Sequence, residues 1–398
     1  MDLTRFRSSP VGQLVPVRGV DGRTGRSYDH FGFVPDPLGE VPTLSGVTWT
    51  KVARANRALG ALRQGSSLIP NPGILRAPTL RREAQSTSAL EGTFAPLDDV
   101  LAAEAVGKAD RSAALSEVLN YVDTAELGFT WVQERRVTTG LLEELQSVLV
   151  RGTAADTPQA GHIRTVPVAI GTRGGGIEDA RFVPMPPGTP LRSALGDLLE
   201  WVDTAPLCDI DPVVAAALTH YQFETLHPFI DGNGRLGRLL IVLQFMRSDV
   251  LTEPLLSVSP WFEARREEYQ DALAAVSAEG AWDEWVALFA DGIHSSATDT
   301  GARMSDLLAV QAEYRDRIRA SGARGMVLDV ADYLIGAPFV TVPMLANALG
   351  KTYQAASNAV ARLVDLDILS EVERQGIRVF RASNVVQVTM RSGSGTPQ

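Results

Sequence analysis

The run His227-Pro228-Phe229-Ile230-Asp231-Gly232-Asn233-Gly234-Arg235-Leu236-Gly237-Arg238 limits what this chain can be more than any other stretch. It follows an apolar segment, residues 213–226, that reads as a buried helix ending at His227. Pro228 has no N–H to continue a helical ladder, so the chain turns there. Gly232 and Gly234 allow backbone conformations and close approaches that other residues block. A second helix is predicted to start near Asn233 or Gly234 and to carry Leu236, Leu239, Leu240 and Leu243. Its first N–H groups lack helical partners, and its dipole favours an anion at that end. Arg235 and Arg238, three residues apart, are expected on one side of its first turns, where guanidinium groups complement phosphate oxygens. Asp231 is a candidate ligand for Mg²⁺ bridging two phosphates. His227 is a candidate general base near neutral pH. The stretch suits a polyphosphate and the removal of a proton from an attacking group.

The rest of the chain limits the alternatives. Its 398 residues allow two or three domains with filled cores. With 45% hydrophobic and 21% charged residues it has the balance of a soluble globular protein. A formal net charge of −10 argues against a nucleic-acid coat protein or a binder of anionic membranes. A single cysteine, Cys208, allows no intrachain disulfide and suits a reducing compartment, so a cytoplasmic location is expected. Charges interrupt every apolar stretch before the roughly 18 residues of a spanning helix, and the N-terminus lacks the order of a secretory signal. No membrane partner is expected.

Residues 1–45, rich in Gly, Pro and Arg, read as an irregular arm with one short strand at 30–34. Helical periodicity covers 47–62, breaks at Pro70, Pro72 and Pro78, and resumes over 80–90, with Gly92 placed as a C-cap. Two helices are expected within 109–151, separated near 136–139. Residues 160–187 alternate around a turn at 174–176 and predict a β-hairpin. Helices return from 191 to about 296, and an amphipathic stretch, 305–320, leads to a boundary at Ser321-Gly322. Residues 326–334, 342–349 and 352–366 read as three short helices, followed by a hairpin around Gln375-Gly376, the element order of a winged helix.

The opening run resembles the Fic family motif, HPFxDGNGRxxR, at every fixed position. The likeness extends over residues ~45–300, including Arg82-Glu83-Ala84, residues 68–72, and the run Gly161-His162-Ile163-Arg164-Thr165 that leads into the family's target-binding flap. It implies a mainly α fold: a Fic-type helical bundle with a β-hairpin flap and a small C-terminal winged helix. It also implies transfer of AMP from ATP to a hydroxyl of a target protein. On that resemblance His227 deprotonates the hydroxyl and Asp231 ligates Mg²⁺. Gly232, Asn233, Gly234, Leu236 and Gly237 line the phosphates, and Arg235 and Arg238 bind the β- and γ-phosphates. The related Doc kinases carry lysine where Gly234 stands, which favours nucleotidyl transfer over phosphorylation. Val168, Ala169, Ile170 and Gly171 would line the nucleotide from the flap. Tyr269, Gln270 and Ser277 occupy the adenine-site positions, although Gln270 and Ser277 depart from the usual Tyr and Asn.

Thr87-Ser88-Ala89-Leu90-Glu91-Gly92 fits the family's inhibitory helix pattern, (S/T)xxxE(G/N). Thr87 and Glu91, four apart, share a helix face. Glu91 would pair with Arg238 and take the place of the γ-phosphate; Gly92 completes the pattern. The flap, residues 166–187, would dock an extended target segment by strand addition. The chain thus divides into an arm with the inhibitory region (1–108), a catalytic core (109–300), a linker helix (301–322), a winged helix (323–384) and a tail (385–398). Within 339–384, Arg374, Arg378 and Arg381 would form a DNA-binding wing, but nearby acids nearly balance them. Protein docking and homodimerisation stay open for this unit. The competing readings are a DNA-binding regulator with a Fic-fold sensor body, and transfer of another phosphate-linked group.

Overall fold

The computed structural model describes residues 1–20, 25, 27–67, 69, 72–107, 111–171, 176–205 and 209–391. Cys208, Pro70, most of the turn expected at 174–176, part of the 68–72 run and tail residues 392–398 lie outside them. The chain opens with α1 (Leu3–Phe6) and an antiparallel pair, β1 (Gly12–Val20) and β2 (Ser27–Pro35). Then come α2 (Gly46–Ser67), α3 (Gly73–Leu90), α4 (Leu97–Val106), α5 (Ala113–Val132) and α6 (Thr139–Val150). After the flap segment follow α7 (Thr189–Thr204), α8 (Pro212–Leu226), α9 (Asn233–Arg247), α10 (Ser259–Glu263), α11 (Arg266–Glu279) and α12 (Trp282–Ala320). The C-terminal unit holds α13 (Met326–Gly336), β3 (Phe339–Val340), α14 (Val342–Ala348), α15 (Tyr353–Asp365), β4 (Ser370–Arg374), β5 (Ile377–Arg381) and α16 (Ser383–Met390). The fold is mainly helical, as expected, with two small sheets, the second ordered β3-β5-β4.

Local chemistry starts the helices that frame the site. Asp211 caps α8, accepting from the N–H groups of Val213 (2.9 Å) and Val214 (3.3 Å), and Pro212 opens the first turn. Thr138 and Ser112 cap α6 and α5 in the same way. The central pair, α8 and α9, is buried almost all round, which only an innermost helix tolerates. Leu236, Leu239, Leu240 and Leu243 of α9 pack with Leu145, Leu149 and Phe129 in one cluster. On the other side, Val213, Ala217 and Tyr221 of α8 join Trp285, Phe289 and Ile293 of α12.

Four expectations change. The N-terminal arm carries an antiparallel pair of nine-residue strands rather than one short strand. Pro78 does not break a helix but lies inside α3. The amphipathic stretch at 301–322 is no separate linker: it continues α12, which runs unbroken for 39 residues. Residues 383–390, assigned in part to a tail, form α16, with Val385, Val386 and Thr389 buried.

The flap differs too. Residues 166–187 do not form a ladder: one antiparallel bridge joins Ile170 to Phe182, and a 3-10 turn spans Ile177–Asp179. Pro167, Pro184, Pro186 and Pro187 supply no N–H for pairing. The flap instead leans on the N-terminal hairpin, where Phe33 N–H donates to Val183 O at 2.9 Å.

The C-terminal unit is bound to the rest of the chain. Helix α4 covers its sheet, with Leu101, Ala102 and Ala105 against Phe339, Val379 and Val386. Arg374 pairs with Asp98 and Asp99 at the start of α4, and Arg381 approaches Asp98 at 3.8 Å. Arg378 pairs with Glu371 at 2.6 Å. All three wing arginines therefore meet carboxylates of their own chain, which removes the cationic footprint of a DNA reader. Arg82 of α3 and Arg303 of α12 donate to the carbonyls of Thr389 and Arg391 at the end of α16. Replacing Val385 by Asp should cost about 3 kcal/mol or more, because a buried charge there has no counter-ion. A lowered urea midpoint and lost hydrogen-exchange protection over 383–390 would register it.

Candidate active site

The motif loop is built from the end of α8 to the start of α9. His227 caps α8 in a left-handed conformation, φ 49° and ψ 61°, with its N–H donating to Phe223 O at 2.9 Å. That conformation is rare for a residue with a side chain and directs the chain sharply into Pro228. Gly232 takes φ 87° and leads into α9. Between them Asn233 acts as a clasp: its carboxamide accepts from Phe229 N–H and donates to Phe229 O, both at 2.8 Å. The Asn233 side chain is therefore committed to the loop, and only its backbone N–H faces the position expected for phosphate. The N–H groups of Asn233, Gly234 and Arg235 meet no acceptor among the described residues, leaving the positive end of α9 open.

The two motif arginines part company. A separation of three positions turns them by about 60° on a helix, and they meet different neighbours. Arg235 goes to α5, pairing with Glu117 at 2.6 Å and with Asp231 at 2.9 Å. It braces the loop and does not line the cleft. Arg238 goes to α3, donating to Thr87 Oγ1 (2.8 Å), Thr87 O (3.1 Å) and Glu91 Oε1 (2.7 Å). At 2% exposure its charge depends on that carboxylate. Glu91 is seated over the start of α9 so closely that a side chain at Gly234 would collide with its Oε1. Burial pushes the Glu91 carboxyl up, but the charge and hydrogen bond of Arg238, with Arg235 and His227 behind, hold it below the usual carboxylate range.

His227 is held from both sides. Its Nδ1 lies 3.3 Å from Glu224 O, which leaves Nε2 as the acceptor. Burial, and then the charge of Arg164, push the imidazole down to about 4, so it is neutral at physiological pH. Arg164 donates to the carbonyls of His227 (2.7 Å), Met185 (2.6 Å) and Leu226 (3.2 Å), fastening the flap segment to the loop. It faces no carboxylate, and burial lowers it to about 10. Nothing local marked Arg164 for this work; it stood unassigned within the run that leads to the flap.

A cleft of about 310 Å³ opens beside this loop. Glu91, Ile170, Gly171, His227, Gly234, Arg238, Tyr269, Gln270 and Ser277, all singled out from the sequence, line it, and so does Glu224, which was not. Val168 and Ala169 do not reach it; Ala169 packs under the flap with Val17 and Ile177. Leu236 belongs to the core, and Gly237 lies behind Glu224. Thr87 is buried beneath Arg238, and Gly92 turns the chain at φ 94° after Glu91. Arg181, not foreseen, closes the flap onto α11 by donating to Gln270 Oε1 at 3.2 Å and pairing with Asp271. Tyr269 bonds His220 Nε2 at 2.7 Å within an aromatic stack, which makes the fully buried His220 a core residue. Ser277 bonds Tyr221 at 2.9 Å. Asp231 is half exposed and uses only Oδ1 toward Arg235, so its other oxygen is free for a cation. One carboxylate with waters and phosphates is a usual Mg²⁺ arrangement, so its donor chemistry fits that ion, although Asp231 does not itself line the cleft.

With this geometry in view, comparisons with known proteins define the class. Residues 49–130 match the Fic/DOC family N-terminal model and residues 136–245 the Fic/DOC family model. Over these residues the chain carries the two domains of the Fic/DOC family. Among curated relatives, protein adenylyltransferase fic-1 of Caenorhabditis elegans is 40% identical over 94 residues, covering 24% of this chain and 16% of that protein. The probable protein adenylyltransferase aq_aa38 of Aquifex aeolicus is 29% identical over 100 residues, 25% of this chain and 30% of that protein. The chain thus spans well under half the length of these relatives. A Fic family protein from Desulfovibrio desulfuricans G20 shares the fold at TM-score 0.54 and 21% identity, over 91% of this chain and 100% of that one. A fragment of C. elegans Fic-1 does so at TM-score 0.51 and 23% identity, over 65% and 74%. No helix among the described residues is long and apolar enough to cross a membrane.

The Glu91–Arg238 pair gives a pH prediction. Because the folded-state carboxyl is depressed, its stabilisation is present above the ordinary glutamate range and is lost as pH falls through the folded value. The urea midpoint of the parent should exceed that of Glu91→Gln at pH 7, and the difference should shrink as the solution is acidified below the ordinary glutamate range.

Proposed function

We propose that this protein is an adenylyltransferase that moves AMP from ATP to a protein hydroxyl and is restrained by Glu91. One observation carries the reading: a neutral, half-buried imidazole stands beside the open N-terminus of α9, in a cleft where Arg238 needs an anion. The family, and the adenylyltransferase names of its curated relatives, agree with it. ATP would enter with its β- and γ-phosphates at the start of α9 and its base toward Ile170, Tyr269, Gln270 and Ser277. His227 Nε2 takes the proton of a Ser, Thr or Tyr hydroxyl. The hydroxyl oxygen bonds to the α-phosphorus while the bond to the bridging oxygen of the β-phosphate breaks, and pyrophosphate leaves with that electron pair. The free N–H groups of α9 stabilise charge on the phosphates. Asp231 would hold Mg²⁺, which supplies charge neutralisation to the phosphates when bound.

Glu91 acts as the brake in this reading. Its carboxylate sits on Arg238 where a terminal phosphate belongs, so a nucleotide that enters with Glu91 in place is displaced from in-line attack. The target segment docks along residues 166–171 of the flap, and the protein's own hydroxyls are among the acceptors. The wing arginines, paired within the chain, give the competing DNA-binding reading no support.

Incubation with ATP labelled in the α-phosphate should label protein. Glu91→Gly should raise labelling at least tenfold by freeing Arg238. Adding His227→Ala to that variant should cut it by about 10²-fold or more, the usual weight of a general base. Equal labelling with and without His227 would sink the mechanism. Intact-mass measurement of the product identifies the transferred group and excludes phosphate or another nucleotide.

A further inference from the structure

Glu224 is a carboxyl that none of the roles above employs. It lies in the last turn of α8, three residues before His227, and its side chain lines the cleft. Its Oε1 is shielded from solvent and meets no hydrogen-bond donor. Among the described residues it forms no ion pair, although Arg238 is close by and bonded to Glu91. Its seat is defined by a missing side chain: a Cβ on Gly237 would fall 2.5 Å from Glu224 Oε1. The carboxyl therefore rests against α9 near its start, while the side chain also lines the cleft.

The groups that face it come from every side. Arg238 approaches from α9, Glu91 from α3, Tyr269 and Arg266 from α11, Arg181 from the flap, and His227 from the loop. His220 lies one turn back on α8, buried and neutral, lowered to about 3. Arg181 is already engaged with Gln270 and Asp271, and Arg238 with Glu91. A carboxylate left in that position without a donor would be costly, whereas the acid form is not.

We propose that Glu224, its side chain lining the cleft and its carboxyl seated against α9 without a hydrogen-bond donor to Oε1, acts as a neutral acid that donates a hydrogen bond to a terminal phosphate oxygen of the bound nucleotide. The proposal rests on the reading of this cleft as the ATP site. Burial, opposed by Arg238 and assisted by Glu91, pushes the carboxyl up to about 8. A triphosphate brings more negative charge than the Glu91 it replaces, so the proton is retained on binding. Below about pH 8 Glu224 donates to phosphate; above it, the carboxylate repels phosphate. It is a specificity residue in this sense: an anion with a free oxygen fits beside it, and a neutral ligand leaves its proton unused.

The test measures affinity on the full chain carrying Glu91→Gly, so that Glu91 cannot supply the titration. Calorimetry with a non-hydrolysable ATP analogue and Mg²⁺ should show Kd rising about tenfold from pH 7 to pH 9. With Glu224→Gln added, a permanent donor replaces the acid, and Kd should change less than about twofold over that range. Carboxyl ¹³C spectra of the parent complex give a readout free of any variant, with Glu224 titrating near or above 8. An alkaline loss of affinity that persists in Glu224→Gln, or a Glu224 resonance titrating below 6, overturns the proposal while nucleotide binding itself stands. Absence of any nucleotide binding removes the ATP-site reading and the proposal together.

Discussion

The contact between Arg238 and Glu91 governs the chemistry of this molecule. A guanidinium at 2% exposure cannot stay unpaired. The open end of α9 adds positive potential at the same place. Together they demand a negative group, and in this state the demand is met from within the chain. In the proposed function, a substrate that displaces Glu91 has to satisfy the same demand, so a preference for a polyanion and restraint by a carboxylate would share one electrostatic origin. The small residue at Gly234 makes this possible, because a side chain there would exclude Glu91.

Helix α3, which presents Glu91, is anchored along its length. Thr79, Glu83 and Thr87 precede Glu91 at four-residue spacing and form a buried polar stripe. Glu83 accepts from Ser257 Oγ and Ser259 N–H, both at 2.9 Å, and also from Ser259 Oγ, tying α3 to the start of α10. Burial pushes that carboxyl up, although the serine donors oppose it. Arg81 and Arg82 reach the other way, to Gly336 O and to the end of α16. Glu91 can therefore leave Arg238 by rotating its own side chain while the helix stays in place.

Much of this was legible because the motif loop carries its chemistry locally. The proline, the glycines and the histidine each have a backbone consequence that needs no neighbour, and all appear at the expected positions. The helices α5, α6, α14 and α15 follow capping residues and apolar spacing in the same way. Legibility fails where the partner is remote in sequence. Spacing placed Arg235 and Arg238 side by side, but Glu117 and Glu91 drew them to different helices. Asn233 looked like a phosphate ligand until its clasp on Phe229 was visible. Arg164 and Arg181 act through carbonyls and carboxylates that no local pattern announces. The N-terminal hairpin was hidden by Gly12, Pro16, Gly19 and Gly32, which interrupt its alternation, and α16 by its brevity.

Pro78 has a reach that extends beyond its own helix. Lacking an N–H, it cannot serve the carbonyl of Ile74, four residues earlier in α3. The backbone of Gly336, at the end of α13, comes up to that carbonyl so closely that a Cβ would lie 2.8 Å away. Two positions more than half the chain apart thus share a single stereochemical fit. A residue heavier than glycine at 336 would have to be accommodated at 74–78, so this one fit ties the amino-terminal half of the chain to its carboxyl-terminal unit.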